Sequence, residues 1–194
     1  NLTKYQYFQY LMKIMREKKT DKENQEVRLK KVRADFISQW GVMGTQWGIN
    51  RTMAQIHALL MTNSDAMSTD EVMEVLQVSR GNAHSNLKEL VSWGLLKIVT
   101  KKGDRREYFL AEKNVWEMFR RISVERKRRE IDPILNVLRN CLEETQDVKT
   151  GEGEAFYSMI KELEEFVSFA AKMTDRVAAM QHGKAMQLAI KMFA

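Results

Sequence analysis

Residues Ser68 to Leu110 read STDEVMEVLQVSRGNAHSNLKELVSWGLLKIVTKKGDRREYFL, and this stretch decides the fold. Ser68 is followed three residues later by Glu71, the spacing of a capping box that opens a helix. Val72, Val75 and Leu76 give that helix an apolar face, and Gln77-Val78 end it. Ser79 is placed to cap a second helix, in which Ala83, Leu87, Leu90 and Val91 recur at helical spacing and face inward. Arg80, Asn82, His84, Ser85 and Lys88 then fall largely on the opposite face, open to a partner. Gly94, after Trp93, suits the left-handed position that terminates a helix.

Two strands follow. Leu95 to Thr100 is apolar and β-branched, and Glu107 to Leu110 carries Tyr108 and Phe109. Between them lies Lys101-Lys102-Gly103-Asp104-Arg105-Arg106, with Gly103 free to take the positive φ of a tight hairpin. From Ser79 to Leu110 there are seven Lys/Arg against three acids, a surplus of four in a chain whose net charge is +6. A polar-faced helix beside a cationic hairpin is the chemistry of double-stranded DNA binding. A helix fits the major groove, and cations on a loop reach phosphates.

The rest of the 194 residues bounds the class. Hydrophobic content of 44% and charged content of 30% fit a folded chain. The single cysteine, Cys141, excludes an intrachain disulfide and agrees with a reducing compartment. No apolar run approaches a membrane span and no signal-peptide pattern opens the sequence, so a cytoplasmic setting without membrane attachment is expected.

Upstream, Tyr5, Phe8, Met12 and Met15 mark an amphipathic helix over residues 2–16. The charge-rich run over 16–35 reads as a solvated helix, broken near Thr20-Asp21. Between Phe36 and Gly48 lie three glycines, Trp40 and Trp47. The favoured reading is a helix-packing seam, in which glycine lets another backbone approach. The sharper one makes Trp40 and Trp47, seven residues apart on one helical face, the wall of a site for a cationic effector. Asn50 to Met61 forms a further helix with Met53, Ile56 and Leu60 inward.

Downstream, Val115 starts a long basic helix that Pro133 should kink or interrupt. Its Arg120-Arg121 and Arg126–Arg129 runs read as a solvated face, with phosphate contact as the alternative. Thr150–Gly153 is a break. From Glu154 an amphipathic helix carries Phe156, Ile160, Leu163, Val167, Ala170, Met173 and Val177, close to a coiled-coil seam. A last short helix bears Met186, Ile190 and Phe193. The expected fold is mainly α. A winged helix-turn-helix domain with a two-stranded β wing spans 36–112, between an N-terminal arm over 1–35 and a C-terminal dimerisation and effector region over 113–194.

Taken together, Val78-Ser79-Arg80-Gly81-Asn82, Leu87-Lys88-Glu89-Leu90, Trp93-Gly94-Leu95 and Lys102-Gly103-Asp104-Arg105-Arg106-Glu107-Tyr108 resemble winged-helix regulators of the MarR superfamily. The stretch from Trp40 to Glu112 looks most like the GbsR branch, named for control of glycine betaine synthesis. The resemblance implies a homodimer whose two recognition helices enter successive major grooves of a palindromic operator, each wing approaching the flanking minor groove. It implies that the wing aspartate pairs with an arginine while a wing arginine enters the groove. Asp104 with Arg105 or Arg106 matches, and the sequence leaves open which arginine does which. Members of the branch sense choline-type ligands, yet no cage residue aligns here one by one.

The chain is thus expected to be a transcriptional regulator, a dimeric repressor released by a small-molecule effector of which a quaternary ammonium compound is one candidate. The candidate DNA contacts are Ser68, Thr69, Ser79, Arg80, Asn82, His84, Ser85, Lys88, Lys101, Lys102, Arg105 and Arg106, with Gly103 and Asp104 shaping the wing. The alternative is a winged-helix protein-interaction module, against which the four wing cations argue. No enzyme, cofactor or metal is expected. His57, His84 and His182 are scattered, no phosphate loop appears, and Cys141 has no partner for a local metal site.

Overall fold

The structure, a computed structural model, describes residues 4–180, with side chains from residue 22 onward. The expected apolar face of Tyr5, Phe8, Met12 and Met15 and the last helix with Met186, Ile190 and Phe193 lie outside the described residues. Seven α-helices and three short strands are present among the described residues. They are α1 (Lys4–Gln46), α2 (Arg51–Thr62), β1 (Met67–Ser68), α3 (Thr69–Leu76), α4 (Arg80–Ser92), β2 (Leu96–Val99), β3 (Tyr108–Ala111), α5 (Val115–Arg126), α6 (Asp132–Thr145) and α7 (Gly151–Ala179), with a π-helical segment, Lys127–Ile131, between α5 and α6.

The chain forms two compact units. One takes residues 1–89 and 98–110, the other 90–97 and 111–194. In the first, α1 is one helix of 43 residues, without the break expected at Thr20-Asp21. Neither glycine nor proline stands before Gly41, and Lys, Glu, Arg and Gln all favour helix, so polar sequence alone does not stop it. From 22 to 32 it is exposed, as a solvated run should be. Beyond that Ile37 is buried, and Gly41 and Gly44 lie against α2. A Cβ on Gly44 would stand 2.5 Å from the Ala54 Cβ, and one on Gly41 2.6 Å from the Gln55 Cγ. The glycines therefore make a packing seam.

Asn50 caps α2, its side chain accepting from the Met53 amide at 3.2 Å. Met53, Ile56 and Leu60 are buried as their spacing requires. With Val72, Ala83, Leu87 and Phe109 they make the core of this unit. The Ser68 capping box forms in full. The Ser68 amide donates to Glu71 Oε2 at 2.6 Å, and the Glu71 amide donates back to Ser68 Oγ at 3.3 Å. Gln77 ends α3 in the left-handed region at φ 53°.

The sheet runs β1-β3-β2, so a third strand joins the two of the wing. Met67 lies opposite Phe109 and Ser68 opposite Tyr108 in antiparallel register. Two residues are too few for an alternating pattern to show in sequence, and β1 becomes a strand only through this pairing.

In the second unit, Gly94 at φ 70° closes α4. Its amide donates to Val91 O at 2.8 Å and the Leu95 amide to Leu90 O at 3.0 Å, the paired bonds of a Schellman motif. Pro133 does not break the helix sharply. Instead 127–131 widen to π geometry, the Asp132 amide donating to Lys127 O, and Pro133 sits in the first turn of α6. Thr150 caps α7, accepting from Gly153 N at 3.1 Å, so the helix starts three residues before Glu154. α6 and α5 pack on α7, burying Met118, Leu135, Leu138, Ala171 and Ala178.

Candidate nucleic-acid interface

The exposed surface of α4 begins at Ser79, whose Oγ accepts from the Asn82 amide at 3.4 Å and whose carbonyl accepts from Ala83 at 2.9 Å. Ala83 and Leu87 turn into the core, and Arg80, Asn82, His84 and Ser85 are left in solvent. The unspent amides of this first turn carry the positive end of the helix dipole and suit a phosphate. Gly81 has open space around a notional Cβ, so α4 itself does not require glycine there.

Two cations of this face are held by acids. Arg80 pairs with Asp70 of α3, and Lys88 Nζ lies 3.0 and 2.9 Å from the two carboxylate oxygens of Glu107. Both pairs are largely solvated, so each contributes little. Asn82 is more committed. Asn86, buried one turn on, donates to its side-chain oxygen at 2.7 Å and its carbonyl at 2.8 Å, and the Asn82 amide nitrogen donates to Thr52 of α2 at 3.4 Å. Asn86 was not read from the sequence as part of this surface, although its position four residues beyond Asn82 is the signal.

The wing is ordered by one carboxylate. Asp104 accepts from the Arg106 amide at 2.9 Å, from Arg106 Nε at 2.9 Å, from Arg106 Nη2 at 2.6 Å and from the Tyr108 hydroxyl at 2.8 Å. The Arg106 guanidinium holds the Asp104 carboxyl well below the usual carboxylate range, and the carboxylate in turn raises Arg106 and Tyr108 above theirs. Lys101 Nζ stands 3.8 Å from the Tyr108 ring centroid, a cation–π contact that draws it to the hairpin base. Gly103, at φ 84°, makes the turn. Lys102 and Arg105 are exposed. The arginine left open by the sequence is therefore resolved in structure. Arg106 pairs with Asp104, and Arg105 extends to solvent.

Ser68 is corrected. It is 1% exposed, and its hydroxyl donates to Glu71 Oε2 at 2.7 Å while accepting from the Glu71 amide, so it serves the cap and faces no partner. Thr69, the first residue of α3, is half-buried. The two indoles differ in burial, Trp40 being half-buried and Trp47 exposed. α1 ends at Gln46, which leaves Trp47 in the following turn at 63% exposure, while Trp40 packs on Phe36 at 5.3 Å and on His57 at 6.4 Å.

The basic run after the wing is internally paired. Arg121 pairs with Glu117 at 2.6 Å and Glu112 at 3.2 Å, and Glu125 holds Arg128 and Arg129. Among the described residues no group of three or more His, Cys, Asp or Glu is placed to hold a metal ion, and no helix is long and apolar enough to cross a membrane.

Comparison with known proteins agrees with this geometry. Residues 47–107 match the model of the MarR family. A solved structure described as the crystal structure of a transcriptional regulator superposes with a TM-score of 0.61 at 17% identity, over 80% of this chain and 98% of that one. No curated protein matches the sequence. The segment from 47 to 107, with its capped α3, polar-faced α4 and Asp104-ordered hairpin, has a winged-helix fold and is similar to the MarR family.

Proposed function

We propose that the chain is a sequence-specific, DNA-binding transcriptional regulator that acts as a homodimeric repressor on a palindromic operator, in the manner of the GbsR branch. The observation that carries the DNA reading is the wing. Asp104 spends itself on Arg106 and Tyr108, which stiffens the loop and leaves Arg105 and Lys102 in solvent with the open face of α4 in the same unit. In this reading α4 enters the major groove, Ser79 and the first-turn amides hold a phosphate, and Arg105 takes the minor groove.

A dimer is supported by α7. Phe156, Met159, Leu163 and Phe166 form an exposed apolar stripe along a 29-residue helix, with Met159 and Phe166 at 64% and 68% exposure. A second copy of the same helix is the economical cover, and two reading heads at fixed spacing supply the specificity one α4 lacks.

Selection of preferred duplexes from a random pool by the full chain, followed by titration at several salt concentrations, tests this reading. A preferred sequence with two related half-sites, bound in a salt-sensitive way by a dimer, supports it. Uniform or absent DNA binding supports a protein-interaction module instead. Release by an effector belongs to the proposal through the family resemblance alone. Thermal-shift measurements with choline, betaine and related cations test it, and no response among them removes the quaternary ammonium version.

A further inference from the structure

α4 begins in the first unit and its last turn belongs to the second. That turn is gripped by two arginines. Arg121 of α5 donates to the Gly94 carbonyl, and its guanidinium is held from behind by Glu117 at 2.6 Å and Glu112 at 3.2 Å. Arg129 of the π segment donates to Ser92 Oγ at 3.1 Å and lies over the Trp93 ring at 5.2 Å, while Glu125 holds its other side. Three successive residues, Ser92, Trp93 and Gly94, are thus fixed by two guanidinium groups.

The carboxylates behind them are firmly ionised. Arg120, with Arg121, keeps Glu117 down at about 2, and Arg128, with Arg129, keeps the buried Glu125 there. A basic group on the carbonyls at a helix C-terminus also meets the negative end of its dipole. The arginine fork suits such a clamp because its planar donors reach two partners at once.

We propose that Arg121 and Arg129 are positioning residues that set how α4 is presented to DNA, rather than phosphate contacts. The proposal rests on the regulator reading. Each guanidinium is engaged by acids and by the α4 terminus, so neither offers its charge outward. What they fix is the last turn of α4 against α5 and the π segment.

Full-chain Arg121→Gln, Arg129→Gln and Glu125→Gln variants test this, each titrated with the preferred duplex and with a scrambled duplex over a salt series. Discrimination between the duplexes should fall about tenfold, the scale of one lost base contact, with affinity for the scrambled duplex and its salt slope unchanged. Glu125→Gln should move in the same direction, although it makes the chain more positive. If both duplexes lose affinity together and the salt slope drops by about one, the arginines are phosphate contacts and the proposal fails. It fails equally if Glu125→Gln raises affinity for both duplexes, or if discrimination is preserved. Partial unfolding lowers both affinities in proportion and leaves discrimination intact, so it does not imitate the expected result. If the unaltered chain prefers no duplex, the regulator reading falls and this inference with it. If it does prefer one and the variants retain that preference, the inference alone falls.

Discussion

Asp104 and Arg106 meet side by side, two guanidinium nitrogens and one backbone amide of the arginine donating to the same carboxylate. Arg105, the adjacent residue, is exposed. Two neighbouring arginines of identical chemistry therefore have different tasks, one structural and one facing outward.

Their replacement should separate these tasks. Arg105→Ala should weaken DNA binding and lower the salt slope by about one, with thermal stability unchanged. Arg106→Ala should also loosen the hairpin, because Asp104 and Tyr108 lose their shared partner, so amide exchange across 101–107 should quicken. Equal behaviour of the two variants in titration and exchange would show that the pairing does not organise the wing.

Lys88 and Glu107 form a second test. Glu107 neutralises Lys88 on the face of α4, at 2.9 Å. Glu107→Gln should release the cation and raise affinity for duplexes of any sequence, with a steeper salt dependence. A titration that shows no gain would mean that Lys88 lies beyond reach of phosphate.

Gly44 is set by its neighbour. Alanine normally favours a helix over glycine by about 1 kcal/mol. At Gly44 the new Cβ would stand 2.5 Å from that of Ala54, so α1 and α2 must separate. Gly44→Ala should destabilise the chain by about 1–3 kcal/mol in urea denaturation despite its better propensity. Gly41→Ala should cost less, since the Gln55 chain it meets can turn aside. A stabilised Gly44→Ala protein would contradict the seam.

His57 should give the stability curve an acid limb. Burial lowers it to about 4 from the ordinary 6.5, and its Nε2 has no hydrogen-bond partner. The unfolded chain binds this proton below 6.5 and the folded chain does not until about 4, so unfolding free energy falls as pH drops through that window. The full difference is about 3 kcal/mol. Glu117 and Glu125, held at about 2, keep their contribution above 4.5 and lose it as pH falls toward 2, so the two windows are distinct. His57→Leu should flatten the curve between 6.5 and 4, as followed by denaturant titration, and an unchanged slope would assign it elsewhere.

The α7 stripe predicts the oligomer. In the proposed dimer, Phe166→Glu places a charge on a position that a second copy covers, so light scattering should show a shift from dimer to monomer. Affinity for a two-half-site duplex should fall with it. A dimer unaffected by this change would move the interface off the stripe.

Local rules made much of this protein legible in its sequence. The Ser68–Glu71 box, the Ser79 cap, the Gly94 stop and the Gly103 turn each depend on residues a few positions apart, and the chain alone specifies them. The periodic burial of Met53, Ile56, Leu60, Ala83, Leu87 and Leu90 follows from helical spacing in the same way. What depended on partners distant in sequence was decided only by the fold. β1 exists because Met67 and Ser68 find β3, about forty residues on. Ser68 looked available until that pairing and its own cap buried it. Arg121 and Arg129 read as a solvated basic face because charge alone does not reveal where a long side chain ends. Packing brought their guanidinium groups to Gly94, Ser92 and Trp93. Even the choice between Arg105 and Arg106, one residue apart, required the turn at Gly103 to aim one of them back at Asp104.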